Sequence, residues 1–171
     1  MGSYILIIIV VLLGMLAQQP AAIGCSLQSE RWNITYPSPD GSGCLLQSVH
    51  PWTHDDRVVG NTTRANYPET RIKVQEVADG ISATSLLTGG RLNTSNALYI
   101  RQEGGVVVEE KDIMLSGCYP AVESIGEFQG GRLFYIAAAL IGEREDNFVI
   151  LSRNREQFAR ILAGLHIEPK D

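Results

Sequence analysis

The sequence predicts an α+β domain: a sheet built from hairpins, with a C-terminal amphipathic helix laid on it. Two observations lead there. Residues 130–165, GGRLFYIAAALIGEREDNFVILSRNREQFARILAGL, set two apolar runs around a charged pentapeptide and end in a patterned segment. Upstream, RWNITYP (31–37) and RIKVQEV (71–77) alternate apolar and polar residues at the period of a half-buried strand. Composition agrees, because 44% hydrophobic and 19% charged residues in a chain of 171 can build one core and do not resemble a disordered segment.

The chain opens on MGSYILIIIVVLLGMLAQQPAAIGC, with an apolar core from Ile5 to Ala17 and no charged side chain. A core of about 13 residues suits the apolar region of a secretory signal and falls short of the ~20 that a spanning helix needs. Ala22 and Gly24 put small residues at the −3 and −1 positions of a cleavage site, so residues 1–24 read as a signal peptide and Cys25 as the first mature residue. An uncleaved anchor is the other reading. AIGC (22–25) also resembles a bacterial lipobox, with Ala22 where Leu is usual, which makes Cys25 a candidate for lipid attachment. In a plain secreted protein Cys25 is a half-cystine instead. The cysteine count favours the lipid: three cysteines are odd for an exported protein, and acylation of Cys25 leaves Cys44 and Cys118 as a disulfide pair.

Residues 25–30 are polar and read as a short linker to a single domain over 31–171. Trp32, Ile34 and Tyr36 alternate with Arg31, Asn33 and Thr35 to give the first strand. PSPDGSG (37–43) is a turn cluster, with Asp40-Gly41 its hairpin signal, and CLLQSV (44–49) reads as the returning strand. Residues 50–70 are polar and irregular, with Pro51 and Pro68 as breakers. The strand at 71–77 stops at Asp79-Gly80. Ile81, Thr84 and Leu87 fit one face of a short helix ended by Gly89-Gly90. ALYI (97–100) and GVVVEE (105–110) are β-rich, and KDIMLSGCYP (111–120) alternates until Gly117 and Pro120 break it.

RLFYIAAALI (132–141) is apolar on successive residues, which places it inside a sheet covered on both faces. GERED (142–146) is its connecting turn. That run of charge reads as a solvated hairpin tip rather than a cation site made by Glu143, Glu145 and Asp146. NFVILS (147–152) is the return strand. Asn154 then caps a helix, with Gln157 at capping-box spacing. Phe158, Ile161, Leu162 and Leu165 form its apolar stripe. TGGRL and QGGRL recur before apolar segments, but Gly-Gly turns before strands are common and no repeat is inferred.

Residues with chemistry are few. HPWTHDD (50–56) holds His50, His54 and Asp55; His-x-x-x-His spacing serves a metal when the segment is helical, and Pro51 opposes a helix there. No Gly-x-Ser-x-Gly elbow, Ser-x-x-Lys pair or phosphate-binding loop occurs. His166 follows the terminal helix and suits its dipole. Asn33, Asn61 and Asn93 begin Asn-x-Ser/Thr sequons, which matter only in a eukaryotic secretory pathway. A net charge of −5 with scattered Lys and Arg excludes a nucleic-acid footprint by composition, and no cofactor is implied.

The C-terminal half, with Leu115, Gly117, Pro120, Ala121 and Glu123 before two long strands and the Phe158/Ile161/Leu162/Leu165 helix after them, resembles the PsbP-like proteins. That superfamily includes photosystem-associated PsbP proteins, Mog-type Ran-binding proteins and DcrB-like lipoproteins. Trp-x-Ile-x-Tyr-Pro (32–37) resembles the family's opening strand. Cys118 and the middle region depart from the pattern. The resemblance implies an α/β/α sandwich with a mostly antiparallel central sheet, acting as a non-catalytic accessory or binding module. The functional expectation is therefore an exported, non-enzymatic protein, a bacterial envelope lipoprotein with a protein partner there, periplasmic or on the outer surface. Its alternatives are a eukaryotic secreted glycoprotein or small-ligand carrier, and a metal-dependent enzyme using His50, His54 and Asp55.

Overall fold

Alternation along the chain translates into strands over most of its length. A computed structural model describes residues 23–171; the signal-peptide reading of 1–24 lies almost entirely outside the described residues. The elements are β1 (Gly24–Gln28), β2 (Trp32–Pro37), β3 (Ser48–His54), β4 (Arg57–Asn66), β5 (Thr70–Val77), α1 (Ala83–Leu86), a 3-10 turn (Thr88–Gly90), α2 (Leu92–Gln102), β6 (Val106–Leu115), β7 (Tyr119–Phe128), β8 (Arg132–Ile141), β9 (Asp146–Ser152), α3 (Arg155–Gly164) and β10 (His166–Pro169). They form an antiparallel seven-stranded sheet, β3-β4-β5-β9-β8-β7-β6, and an antiparallel three-stranded sheet, β1-β2-β10.

The α/β/α sandwich is thereby overturned. Strands take up 52% of the structure and helices 19%, and one face of the large sheet is covered chiefly by the second sheet. The cause lies in segments that read as non-strand. Residues 25–30, the expected linker, contain most of β1, where Cys25 and Leu27 alternate inward. Residues 50–70 form β3 and β4, joined by Asp55 and Asp56 at φ 47° and 61°, the left-handed pair of a tight hairpin. Asp40-Gly41 does not close a hairpin. β2 pairs with β1 and β10 instead, and the chain from Pro39 to Gln47 runs as a loop to β3. ALYI is helical in α2, where Asn96 and Ile100 are buried one turn apart.

β8 is covered on both faces, as its unbroken apolar run requires. Tyr135, Ala137, Ala139 and Ile141 meet Trp32, Ile34 and Tyr36 of the small sheet, with Phe158 and Ile161 of α3 completing this core. Phe134, Ile136 and Ala138 face the other way, against Ile100 of α2. That helix sits so close that a Cβ on Gly126 of β7 would stand 2.6 Å from Ile100 Cγ2. α3 starts as expected, with Asn154 Oδ1 accepting from the Glu156 and Gln157 amides at 3.0 and 3.1 Å.

The charged turn between β8 and β9 is solvated at Gly142, Glu143 and Arg144, as expected, but not at its end. Asp146 is 1% exposed. Its carboxylate accepts from Arg31 Nε (2.9 Å) and Nη2 (2.6 Å), Trp32 Nε1 (2.7 Å) and the Val77 amide (3.0 Å). Glu145 accepts from Ser82 and Thr84. The β1–β2 turn folds onto this end of the large sheet, and Gly142, at φ 70°, would drive a Cβ to 2.6 Å from the Trp32 ring. Glu76 completes the seam by accepting from Ser29 Oγ and the Glu30 and Arg31 amides. An isolated hairpin would leave Asp146 in water; the β1–β2 turn and the first residue of the small sheet's β2 bury it.

The disulfide also differs. Cys25 of β1 is bonded to Cys44 of the following loop, with Cα atoms 5.3 Å apart, and Cys118 is a free, exposed thiol in the β6–β7 turn. The expected Cys44–Cys118 bond does not form, because the loop after β2 returns Cys44 to the start of β1. The Cys25 sulfur that a lipid would need is occupied by that bond.

Candidate functional site

Ile72 and Val74 of β5 point into the main core, so Arg71, Lys73 and Gln75 point to the opposite face. Cross-strand pairing aligns β4 with them: Asn66 faces Arg71, Arg64 faces Lys73, and Thr62 faces Gln75. β3 adds Ser48 opposite Arg64 and His50 opposite Thr62. On the other flank β9 adds Leu151, Val149 and Asn147. α2 lies over β6, β7 and β8 on this side, and among the described residues no helix packs extensively on β3, β4 or β5 there. Half of the face is therefore an open surface, and its charged groups are cations.

Those cations meet neutral partners. Arg64 Nη2 donates to His50 Nε2 at 3.0 Å and its Nε to Ser48 Oγ at 3.4 Å. Arg71 Nε donates to Asn66 Oδ1 at 2.8 Å. Among the described residues, the ion pairs use Arg31, Arg144, Lys111, His54 and His166, and none of the cations on this face. Lys73 is pushed down to about 8, first by burial and then by repulsion from Arg71 and Arg64. Like charges directly opposite on adjacent strands are destabilising, and Arg64 opposite Lys73 is such a pair.

The surface continues toward the free end of α2. A cavity of about 200 Å³ is lined by Asn66, Arg71, Tyr99, Phe134 and Arg153, with Glu69, whose carboxylate accepts from Asn154 Nδ2 at 3.0 Å. A second, of about 520 Å³, is lined by Arg153, Arg132, Phe128 and Leu133, with Glu69 and Glu103. Tyr99 stacks on Phe134 with centroids 5.8 Å apart and planes 16° from parallel, and Phe128 meets Phe134 edge-on at 5.9 Å. The Tyr99 phenol is raised first by burial and then by Glu103, while Arg71 and Arg153, which line the same cavity, oppose the shift.

A third cavity, of about 410 Å³, lies at the seam between the sheets, lined by Glu30, Arg31, Asn61, Glu76 and Arg144. Its charged groups largely satisfy one another: Glu76 and Asp146 hold the β1–β2 turn, and Arg144 pairs with Asp79. It serves to join the sheets.

The residues singled out from the sequence are scattered. His50 lies on the cationic face bonded to Arg64, while His54 stands at the β3–β4 hairpin end, 3.6 Å from Asp55 Oδ2. A bulge between Trp52 and Thr53 separates the two histidines. No group of three or more His, Cys, Asp or Glu among the described residues is placed to hold a metal. His166 begins β10 and pairs with Glu168 at 2.7 Å. Asn61 is exposed on β4, Asn93 is half-buried in the first turn of α2, and Asn33 is half-buried on β2 with its Oδ1 enclosed and unpartnered. Sequence reasoning missed Arg64, Lys73 and Arg71. The signal was present in RIKVQEV, whose polar positions repeat every second residue, but their sign matters only once Arg64 is known to be the neighbour. No protein-family model, curated protein or solved structure matches this chain.

Proposed function

We propose that this chain is a non-catalytic, exported binding protein whose working surface is the open β3–β4–β5 half of the large sheet, and that its ligand is anionic. The observation behind this is the row Arg64–Lys73–Arg71, set side by side without a facing carboxylate in a protein of net charge −5. Arranged anion-binding charge of this kind is repulsive when empty and favourable when a ligand neutralises it. The guanidinium groups are permanent charges suited to holding carboxylate, sulfate or phosphate oxygens. The shallow face supports recognition rather than proton transfer.

Export is supported by the uncharged apolar N-terminal segment and by the Cys25–Cys44 disulfide, a bond of oxidising compartments. No helix among the described residues is long and apolar enough to cross a membrane. Gly24 is paired with Pro37 and Ile23 O accepts from the Ser38 amide, so processing that keeps β1 whole cuts before Ile23. Acylation at Cys25 is not part of this reading. The exposed sequon at Asn61 favours a secreted glycoprotein as a second form of it, and hexose at Asn61 in the intact mass of protein from its natural source would establish that form.

The test is thermal stabilisation by sodium sulfate against sodium chloride at equal ionic strength, for the native chain and for Arg64→Gln and Arg71→Gln. A ligand that binds only the folded state raises the melting temperature by mass action. Sulfate is expected to raise it in the native chain and to do so less in each variant. Equal shifts in all three proteins would overturn the proposal.

A further inference from the structure

We infer that this face takes a linear acidic carbohydrate, laid across β4, β5, β9 and β8, with its anionic groups on Arg64, Arg71, Arg153 and Arg132 and a sugar ring against Tyr99. This rests on the reading above that the face binds anions, and it names the ligand class.

The extent of the charge is the first reason. β4, β5, β9 and β8 are consecutive neighbours in the sheet, and the pairing register sets the four arginines on a diagonal, each displaced along the strands from the one before. At ~4.8 Å between strands and ~3.3 Å per residue the row spans about 25 Å. One sulfate or phosphate cannot reach from Arg64 to Arg132; a chain with an anionic group on successive or alternate sugars can. Aromatic surface within the row is the second reason. Tyr99 is half-buried, stacked on Phe134, and lines one cavity with Arg71 and Arg153. A pyranose offers an apolar C–H face to such a ring and places its carboxylate or sulfate at the ring's edge, where the guanidinium groups stand. Placement of Glu69 and Glu103 is the third. Both line the outer cavity beside Arg132 and Arg153, and Glu69 also lines the cavity shared by Arg71 and Tyr99; there the carboxylates are acceptors for the hydroxyls that a sugar carries between its anionic groups and that a polyphosphate lacks.

Isothermal titration of the native chain, Tyr99→Leu and Arg132→Gln with four probes decides it: sodium sulfate, a galacturonate hexamer, a heparin-derived hexasaccharide and a glutamate hexamer. Arg132 is exposed, so its variant tests the contact without endangering the fold. At least one of the two saccharides is expected to bind at least about tenfold more tightly than sulfate or the glutamate hexamer, and each variant to lose about tenfold for that saccharide, Tyr99→Leu doing so with no loss of sulfate binding. Sulfate binding with no gain from either saccharide would overturn the carbohydrate inference and leave an anion site. Glutamate hexamer binding equal to that of the tighter saccharide, indifferent to Tyr99→Leu, would overturn it in favour of an acidic peptide. No binding of any probe would remove the anion-binding proposal itself.

Discussion

Replacing Asp146 with Ala removes the acceptor for four hydrogen bonds at the junction of the two sheets. Trp32 Nε1 and the Val77 amide would be left buried without a partner, since Trp32 is 5% and Val77 1% exposed. Each orphaned donor costs about 1–3 kcal/mol. The Arg31 side chain is 25% exposed and recovers part of its hydration, so its share is smaller. The expected loss is about 3–5 kcal/mol, the range for removing one partner of a buried charge pair. A solvated turn at the same sequence position would change by less than about 0.5 kcal/mol. Asp146→Asn keeps an oxygen for Trp32 or Val77 and is expected to lose less, about 1–3 kcal/mol. Urea denaturation at neutral pH, extrapolated linearly, measures all of these. A cycle with Arg31→Met should show a coupling of at least about 1 kcal/mol, as residues in one network do. A loss below about 1 kcal/mol for Asp146→Ala, or strict additivity in the cycle, would refute the docking of this turn as described.

Three further outcomes are expected. Lys73 is lowered in the folded state from 10.5 to about 8, so between those values the unfolded chain binds more protons and stability rises with pH; the gain is at most about 3 kcal/mol, and pH-dependent urea melts of native and Lys73→Met protein should show it only in the former. Cys44→Ser removes a cross-link between positions 19 apart in sequence and should cost about 3 kcal/mol in the chain-entropy account, whereas Cys118→Ser should leave stability within about 0.5 kcal/mol; a non-reduced peptide map showing Cys44 joined to Cys118 would contradict both. Phe158→Ala, at 3% exposure against Tyr135, should cost about 3–5 kcal/mol, and a loss under 1 kcal/mol in a urea melt would mean α3 is not packed on the sheet.

Elements with a strong local period were legible from the sequence alone. The strand at 31–37, the strand at 71–77, the doubly covered β8 with its return β9, and the capped helix α3 all appear where alternation, unbroken apolarity or an i, i+3, i+4, i+7 stripe put them. Those patterns are set by the geometry of a single strand or helix, so a few neighbouring residues are enough to show them. Where the period was weak, at 24–28 and 48–66, strands formed because tertiary partners were waiting, and the fold class changed with them. The same holds for chemistry. GERED is a charged turn in any sequence window, and only the arrival of Arg31 and Trp32, more than a hundred positions away, makes Asp146 a buried acceptor. Cys25 and Cys44 were equally available to other pairings until the loop after β2 brought their Cα atoms to 5.3 Å. Arg64 and Lys73 are single basic residues in the sequence and a repulsive pair in the sheet, because strand register, a long-range property, decides which charges become neighbours.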